Sequence, residues 1–132
     1  MPRVLFLDDD PVRIKKFRSA HPYATITESA TECISQLSEQ DWDVVCLDHD
    51  LGGKQHVDSA LSNTGAAVVR WIEINKPKVQ QFFVHSLNTG AANQMVIALK
   101  QNYECRYIPF GFEFINTVYD AVMYGTSVDF GD

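Results

Sequence analysis

The strongest constraint on the fold is a segment type that recurs along the chain: a short, unbroken apolar run that stops abruptly at polar residues. Val4-Leu5-Phe6-Leu7 stops at Asp8-Asp9-Asp10. Val44-Val45-Cys46-Leu47 stops at Asp48-His49-Asp50, followed by Leu51-Gly52-Gly53. Phe82-Phe83-Val84 stops at His85-Ser86-Leu87-Asn88. A strand with one wet face alternates apolar and polar residues. A run without alternation is apolar on both faces and suits a sheet covered on both sides. Each run then delivers its polar end to a rim.

The intervening segments read as helices. Asp10-Pro11 is a helix start, because Asp can cap free N–H groups and Pro suits the first turn. The helix runs to about Ala20 with Val12, Ile14 and Phe17 as apolar contacts, and His21-Pro22 ends it. Tyr23 to Thr27 reads as a second strand. Ser29 or Thr31 starts a helix with Ala30, Cys33, Ile34 and Leu37 on one face. Asp41-Trp42-Asp43 turns the chain into the third strand, ending at Asp48. Gly52 to Asn63 is a long polar loop of the kind that often serves binding.

Asn63-Thr64-Gly65 opens a helix carrying Ala66, Val69 and Ile72, which ends near Asn75-Lys76-Pro77. Gln81 to His85 is the fourth strand, and Asn88 or Thr89 caps a helix bearing Val96 and Leu99. Tyr103 to Ile108 is the fifth strand, and Phe114, Val118, Ala121 and Val122 mark the last helix. Residues 1–125 are expected to form one domain, with 126–132 an acidic tail.

Alternation of this kind predicts an α/β fold with a five-stranded parallel sheet between two helical layers. Right-handed crossovers favour the order 2-1-3-4-5. In that order strands 1, 3 and 4 are neighbours, and their carboxyl ends flank the switch point where such sheets bind ligands. The three polar clusters then meet in one pocket.

Composition narrows the function classes. The 132 residues are 45% hydrophobic, which supports a core, and the net charge of −6 argues against non-specific binding to nucleic acid or anionic membrane. No apolar run approaches the roughly 20 residues of a membrane span. Met1-Pro2-Arg3-Val4 enters a strand at once, without a signal-peptide layout. Cys33, Cys46 and Cys105 are odd in number, widely spaced and set in apolar patterns, as buried free thiols in a cytoplasmic protein would be.

Asp8, Asp9, Asp48 and Asp50 bring up to four carboxylates to one rim, where they repel one another unless a cation intervenes. Mg²⁺ or Mn²⁺ fits oxygen ligands of this kind and can polarise a phosphoryl oxygen or activate water. His49 and His85 can ligate metal or act as general acid and base near neutral pH. Asn88, Thr89 and Gly90 open a helix whose N–H groups can hold phosphate, and the Arg13 fork can do the same.

Each of these residues also has a plain structural reading. Asp10 caps a helix. Asp50 either caps a turn before Gly52-Gly53 or binds metal. Arg13 either binds phosphate or pairs with Asp9 or Asp10. Ser86 reads as a satisfied hydroxyl, Asn88 as a cap, and Trp71 as packing. His56 sits in a polar loop, and Phe110-Gly111-Phe112 lines either the pocket wall or a partner surface.

Leu5-Phe6-Leu7-Asp8-Asp9-Asp10-Pro11, followed by Arg13, resembles the opening of a response-regulator receiver domain. The resemblance spans nearly the whole chain and implies the flavodoxin-like receiver fold. It also implies a divalent metal on Asp8, Asp9 and Asp48, and a switch hydroxyl at Ser86. Receivers carry a lysine before a proline after strand 5, whereas this chain has Ile108 before Pro109.

A sharper resemblance lies in Leu47-Asp48-His49-Asp50-Leu51-Gly52, then Thr64-Gly65 with Trp71, then His85-Ser86-Leu87-Asn88 with Gly90 and Met95. This pattern resembles the cyclic-phosphate processing receiver group, whose members carry a DDER-like opening; here the arginine is shifted to Arg13. That resemblance implies a metal-dependent phosphoesterase acting on a cyclic or otherwise phosphorylated nucleotide or small molecule. Asp48, His49 and His85 would be its catalytic residues. The alternatives are a signalling receiver phosphorylated on Asp48, and a non-catalytic module that binds a phospho-ligand, a protein partner or a second copy of itself.

Overall fold

The structure is a computed structural model, and it describes residues 2–53 and 57–125. The chain alternates β1 (Val4–Leu7), α1 (Pro11–Ala20), β2 (Thr25–Thr27), α2 (Ala30–Glu39), β3 (Trp42–Leu47), α3 (Gly65–Asn75), β4 (Val79–Val84), α4 (Thr89–Leu99), β5 (Cys105–Tyr107) and α5 (Phe112–Tyr124). The five strands form a parallel sheet in the order β2-β1-β3-β4-β5. His56 and the acidic tail lie outside the described residues.

Helix starts follow local chemistry. Asp10 Oδ1 accepts from Val12 N at 2.8 Å and Arg13 N at 3.1 Å, with Pro11 opening α1. Ser29 accepts from Glu32 N at 3.2 Å while the Glu32 carboxylate accepts from Glu28 N at 2.8 Å. Thr64 and Asn88 cap α3 and α4 through Ala67 N and Ala91 N. Four of the five helices therefore begin on a capping side chain, and α5 starts without one.

Strand alternation splits the core in two. Leu5, Leu7, Val45, Leu47, Phe82 and Val84 point to the layer made by α2, α3 and α4. Val4, Phe6, Val44, Cys46 and Phe83 point to the layer made by α1 and α5, where they meet Ile14, Phe17, Phe114 and Val118. Phe6 stacks on Phe17 with centroids 4.0 Å apart. Trp71 is half-buried against the first cluster.

Strand limits differ from the sequence reading, and β3, β4 and β5 stop at Leu47, Val84 and Tyr107, each one residue short of the expected end. β2 begins at Thr25, because its register with β1 covers only Leu5–Leu7 and Tyr23 stands exposed after Pro22. β5 is limited to Cys105–Tyr107 by pairing with Phe82–Val84. β4 starts earlier, at Val79, because Val79 pairs with Trp42. Val12 is 61% exposed rather than a core contact: position 12 of α1 turns outward while Ile14 and Phe17 turn in.

The register sets up the site. Leu7 pairs with Leu47, Leu47 with Val84, and Val84 with Tyr107. The next residue on each strand is Asp8, Asp48, His85 and Ile108. Their backbone N–H groups continue the ladder, from Asp48 to Leu7 O, from His85 to Leu47 O and from Ile108 to Val84 O. These four residues form one row across the sheet, on the α1/α5 side.

Candidate functional site

The row opens into a pocket of about 260 Å³ lined by Asp9, Asp10, Arg13, Asp48, Asp50 and Asn88, with Pro11, Gly53, Ser86 and Leu87 completing it. Asp8, at 0% exposure, sits beneath it. Asp8 Oδ2 accepts from Arg13 Nε at 2.8 Å and lies 3.0 Å from His85 Nε2, while Oδ1 accepts from Arg13 Nη2 at 3.0 Å and Asp10 N at 2.9 Å. The donor from His85 is Nε2–H. The imidazole ring is boxed by Phe6 (4.9 Å), Phe114 (4.9 Å) and Phe110 (5.9 Å).

Asp48 is less well compensated. Its Oδ1 accepts from His49 N at 2.8 Å, and its Oδ2 is 3.5 Å from Arg13 Nη2. The two carboxylates therefore shift in opposite directions. Burial pushes Asp8 up, but hydrogen bonds from His85 and Arg13 outweigh it and hold the group at about 2. Burial pushes Asp48 up to about 6; the charge of Asp8 adds to this, and His85 and Arg13 only partly oppose it. Burial disfavours the Arg13 charge, yet the Asp8 carboxylate raises its pKa overall.

His49 leaves this site. Alternation sends it to the opposite side of the sheet from Asp48, where it is fully buried. Its Nδ1 is 2.8 Å from Asp50 Oδ1 and its Nε2 is 2.9 Å from Ser59 Oγ. Nδ1–H donating to the carboxylate and Nε2 accepting from the hydroxyl satisfies all three groups. Asp, His and Ser in this order invite comparison with a nucleophile triad. The ring, however, does not line the pocket, and the contacts tie down the 57–64 segment. Arg70 Nη1 donates to Ser59 O at 2.8 Å on the same segment.

The remaining candidates are placed as follows. Asp9 Oδ2 accepts from Gly53 N, 2.6 Å away, at the pocket rim. Asp50 Oδ1 accepts from Val57 N at 3.0 Å and from Asn88 Nδ2 at 3.1 Å, so Asp50 shapes the loop while facing the pocket. Arg13 chelates Asp8, with Asp10 at 3.5 Å, rather than pairing with Asp9. Ser86 Oγ accepts from Asn88 N at 3.0 Å, and Asn88 is the α4 cap. Ile108, where receivers carry lysine, is buried among the phenylalanines of the α1/α5 layer. Phe110 packs there too, whereas Phe112 is 88% exposed. Ser59 and Arg70 were not legible as site neighbours, since a polar loop gives no period that points a side chain anywhere.

Among the described residues, Asp8, Asp48 and His85 offer ligand atoms that all lie within 4.8 Å of one another, and Asp9 and Asp50 do not join this group. The donors fit a hard divalent cation through their carboxylates: Asp48 is a buried acid lacking a full counter-charge, and Asp8 stands beside it. The cation would rest on Asp8 and Asp48, where it would screen the carboxylates from a phosphoryl group.

Solved structures share this architecture. Response regulator TrrA from Thermotoga maritima, in complex with Mg²⁺-BeF, is 19% identical with a TM-score of 0.62, covering 92% of this chain and 96% of its own. A receiver domain from Methylobacillus flagellatus is 15% identical, TM-score 0.61, covering 92% and 98%. A sensor protein from a Polaromonas species is 14% identical, TM-score 0.65, covering 94% of each. Fold and site together define a receiver domain of the response-regulator type. Residues 3–101 match the family described as Cyclic-phosphate processing Receiver domain, and the chain belongs to that family. No curated protein matches it.

Proposed function

We propose that this receiver domain handles a phosphoryl group at Asp48, with a divalent cation held by Asp8 and Asp48. The observation that carries the reading is the position of Asp48. It is the buried carboxylate that lines the pocket, and its pKa is raised, which makes its oxygen the more basic of the pair. In transfer from a small acyl phosphate, Asp48 Oδ2 attacks phosphorus, the phosphorus–oxygen bond to the acyl group breaks, and the carboxylate leaves with the electron pair. Arg13, which lines the same pocket, supplies the cation for the phosphoryl oxygens that the missing lysine would otherwise supply. Acetyl phosphate with Mg²⁺ should give a phosphoryl adduct by intact mass. Asp48→Asn should abolish it, and an adduct that persists in that variant would refute the assignment.

A second reading is favoured by the family's description: hydrolysis of a cyclic phosphate on a nucleotide or small molecule, with Mg²⁺ or Mn²⁺ and with His85 as the acid–base group. His85 donates to Asp8 and does not line the pocket, so in this reading it acts through Asp8. A panel of 2′,3′-cyclic phosphates and cyclic nucleotides decides it. Turnover lost on His85→Ala supports hydrolysis. Tight binding without turnover selects a phospho-ligand sensor.

A further inference from the structure

The clamp of Arg13 on Asp8 conflicts with metal binding at the same carboxylate. Both Asp8 oxygens are taken, Oδ2 by Arg13 Nε and His85, and Oδ1 by Arg13 Nη2 and Asp10 N. The same Nη2 is 3.5 Å from Asp48 Oδ2, so the guanidinium spans the two acids that would hold a cation. A doubly charged ion cannot sit beside an arginine there without strong like-charge repulsion. The Arg13 side chain is one-quarter exposed and lines the pocket. Among the described lining residues it is the one base, against Asp9, Asp10, Asp48 and Asp50.

We propose that Arg13 is an exchangeable internal counter-ion. Without metal it neutralises Asp8 and partly offsets Asp48. A divalent cation displaces it, and the freed guanidinium then becomes the anion-binding group at the pocket mouth. Cation and phosphate binding are therefore ordered and mutually reinforcing: the acidic wall repels phosphate until the cation has arrived, and phosphate holds Arg13 away from the carboxylates. Reciprocity requires phosphate to tighten the cation by the same factor as the cation tightens phosphate. The inference rests on the reading that this pocket takes a divalent cation and a phosphoryl group.

The test is a Mn²⁺ titration followed by the free-ion EPR signal, with and without inorganic phosphate, on the wild-type chain, Arg13→Ala and Arg13→Lys. The alanine variant should bind Mn²⁺ roughly tenfold tighter, since metal no longer competes with a charge-assisted fork. Phosphate should tighten Mn²⁺ several-fold in the wild type and by a clearly smaller factor in the alanine variant, which keeps only the charge effect of the acidic wall. The lysine variant keeps the charge without the fork and should fall between them. It also decides the matter if a circular-dichroism melt shows that Arg13→Ala does not fold. Mn²⁺ affinity unchanged or weaker in the folded variants, with clear wild-type binding, overturns the counter-ion role and leaves the proposed function standing. No Mn²⁺ binding to any of the three at millimolar concentration overturns both.

Discussion

Asp8 and Asp48 are neighbours in one row, yet their surroundings pull them apart, and this gives stability a worked pH dependence in metal-free buffer. The Asp8 carboxyl falls from 3.8 to about 2. Its contribution is present above the ordinary value and is lost as pH drops from about 4 through 2. The Asp48 carboxyl rises from 3.8 to about 6, so the folded chain holds a proton that the unfolded chain releases. Its contribution therefore grows as pH falls from about 7 towards 4. Urea unfolding with chelator should show a maximum near pH 4 to 5. Asp48→Asn should remove the rise and stabilise the protein at pH 7 by about 1–3 kcal/mol; equal stability at pH 7 would show that Asp48 is not a strained acid. At this scale the sequence was partly legible. Asp8, Asp48 and His85 follow apolar runs, so their convergence could be read. The orientation of His49 was also within reach, because adjacent residues on a strand cannot share a face. What the sequence left open was the partner of Arg13, since a long side chain on a first helical turn reaches several acids equally well.

Among the elements, α3 carries the tightest constraint. A Cβ on Gly65 would fall on the carbonyl oxygen of Asp48 and lie 2.7 Å from Met95 Cε. Gly65 N donates to His49 O at 3.0 Å, and Asp50 bridges Thr64. The helix start thus lies directly against the strand end that bears the acid. Gly65→Ala should cost about 1–3 kcal/mol in chemical denaturation, through overpacking against backbone. The loop leading into this helix is tied by His49 to Ser59. Ser59→Ala should cost about 1 kcal/mol and raise amide exchange in 57–64, with little effect on the Asp8–Arg13 pair. Helix starts were readable because Asp10, Ser29, Thr64 and Asn88 cap by local chemistry. Strand limits were not, because β2 and β5 extend only as far as they pair with Leu5–Leu7 and Phe82–Val84, and that is fixed by pairing rather than by their own residues.

For the whole molecule, the parallel order and double cover follow from the unbroken apolar runs, and they leave all three thiols inside. Cys33, Cys46 and Cys105 are buried and free, and burial pushes the thiols of Cys33 and Cys105 up to about 12. A thiol reagent should therefore react with none of them in the native protein and with all three in denaturant. Rapid native labelling would contradict the packing. Among the described residues no helix is long and apolar enough to cross a membrane.

The row Asp8, Asp48, His85, Ile108 has a consequence for how such a chain can change. Each strand contributes one letter, and the pleat fixes which way that letter faces. One residue deleted within β3 would carry Asp48 out of line and bring His49 into its place, inverting the two faces of the strand beyond the deletion. An insertion of any length in the Gln40–Asp41 turn leaves the lettering intact. Length variation can therefore gather in the turns, while the strands keep their count as strictly as a reading frame.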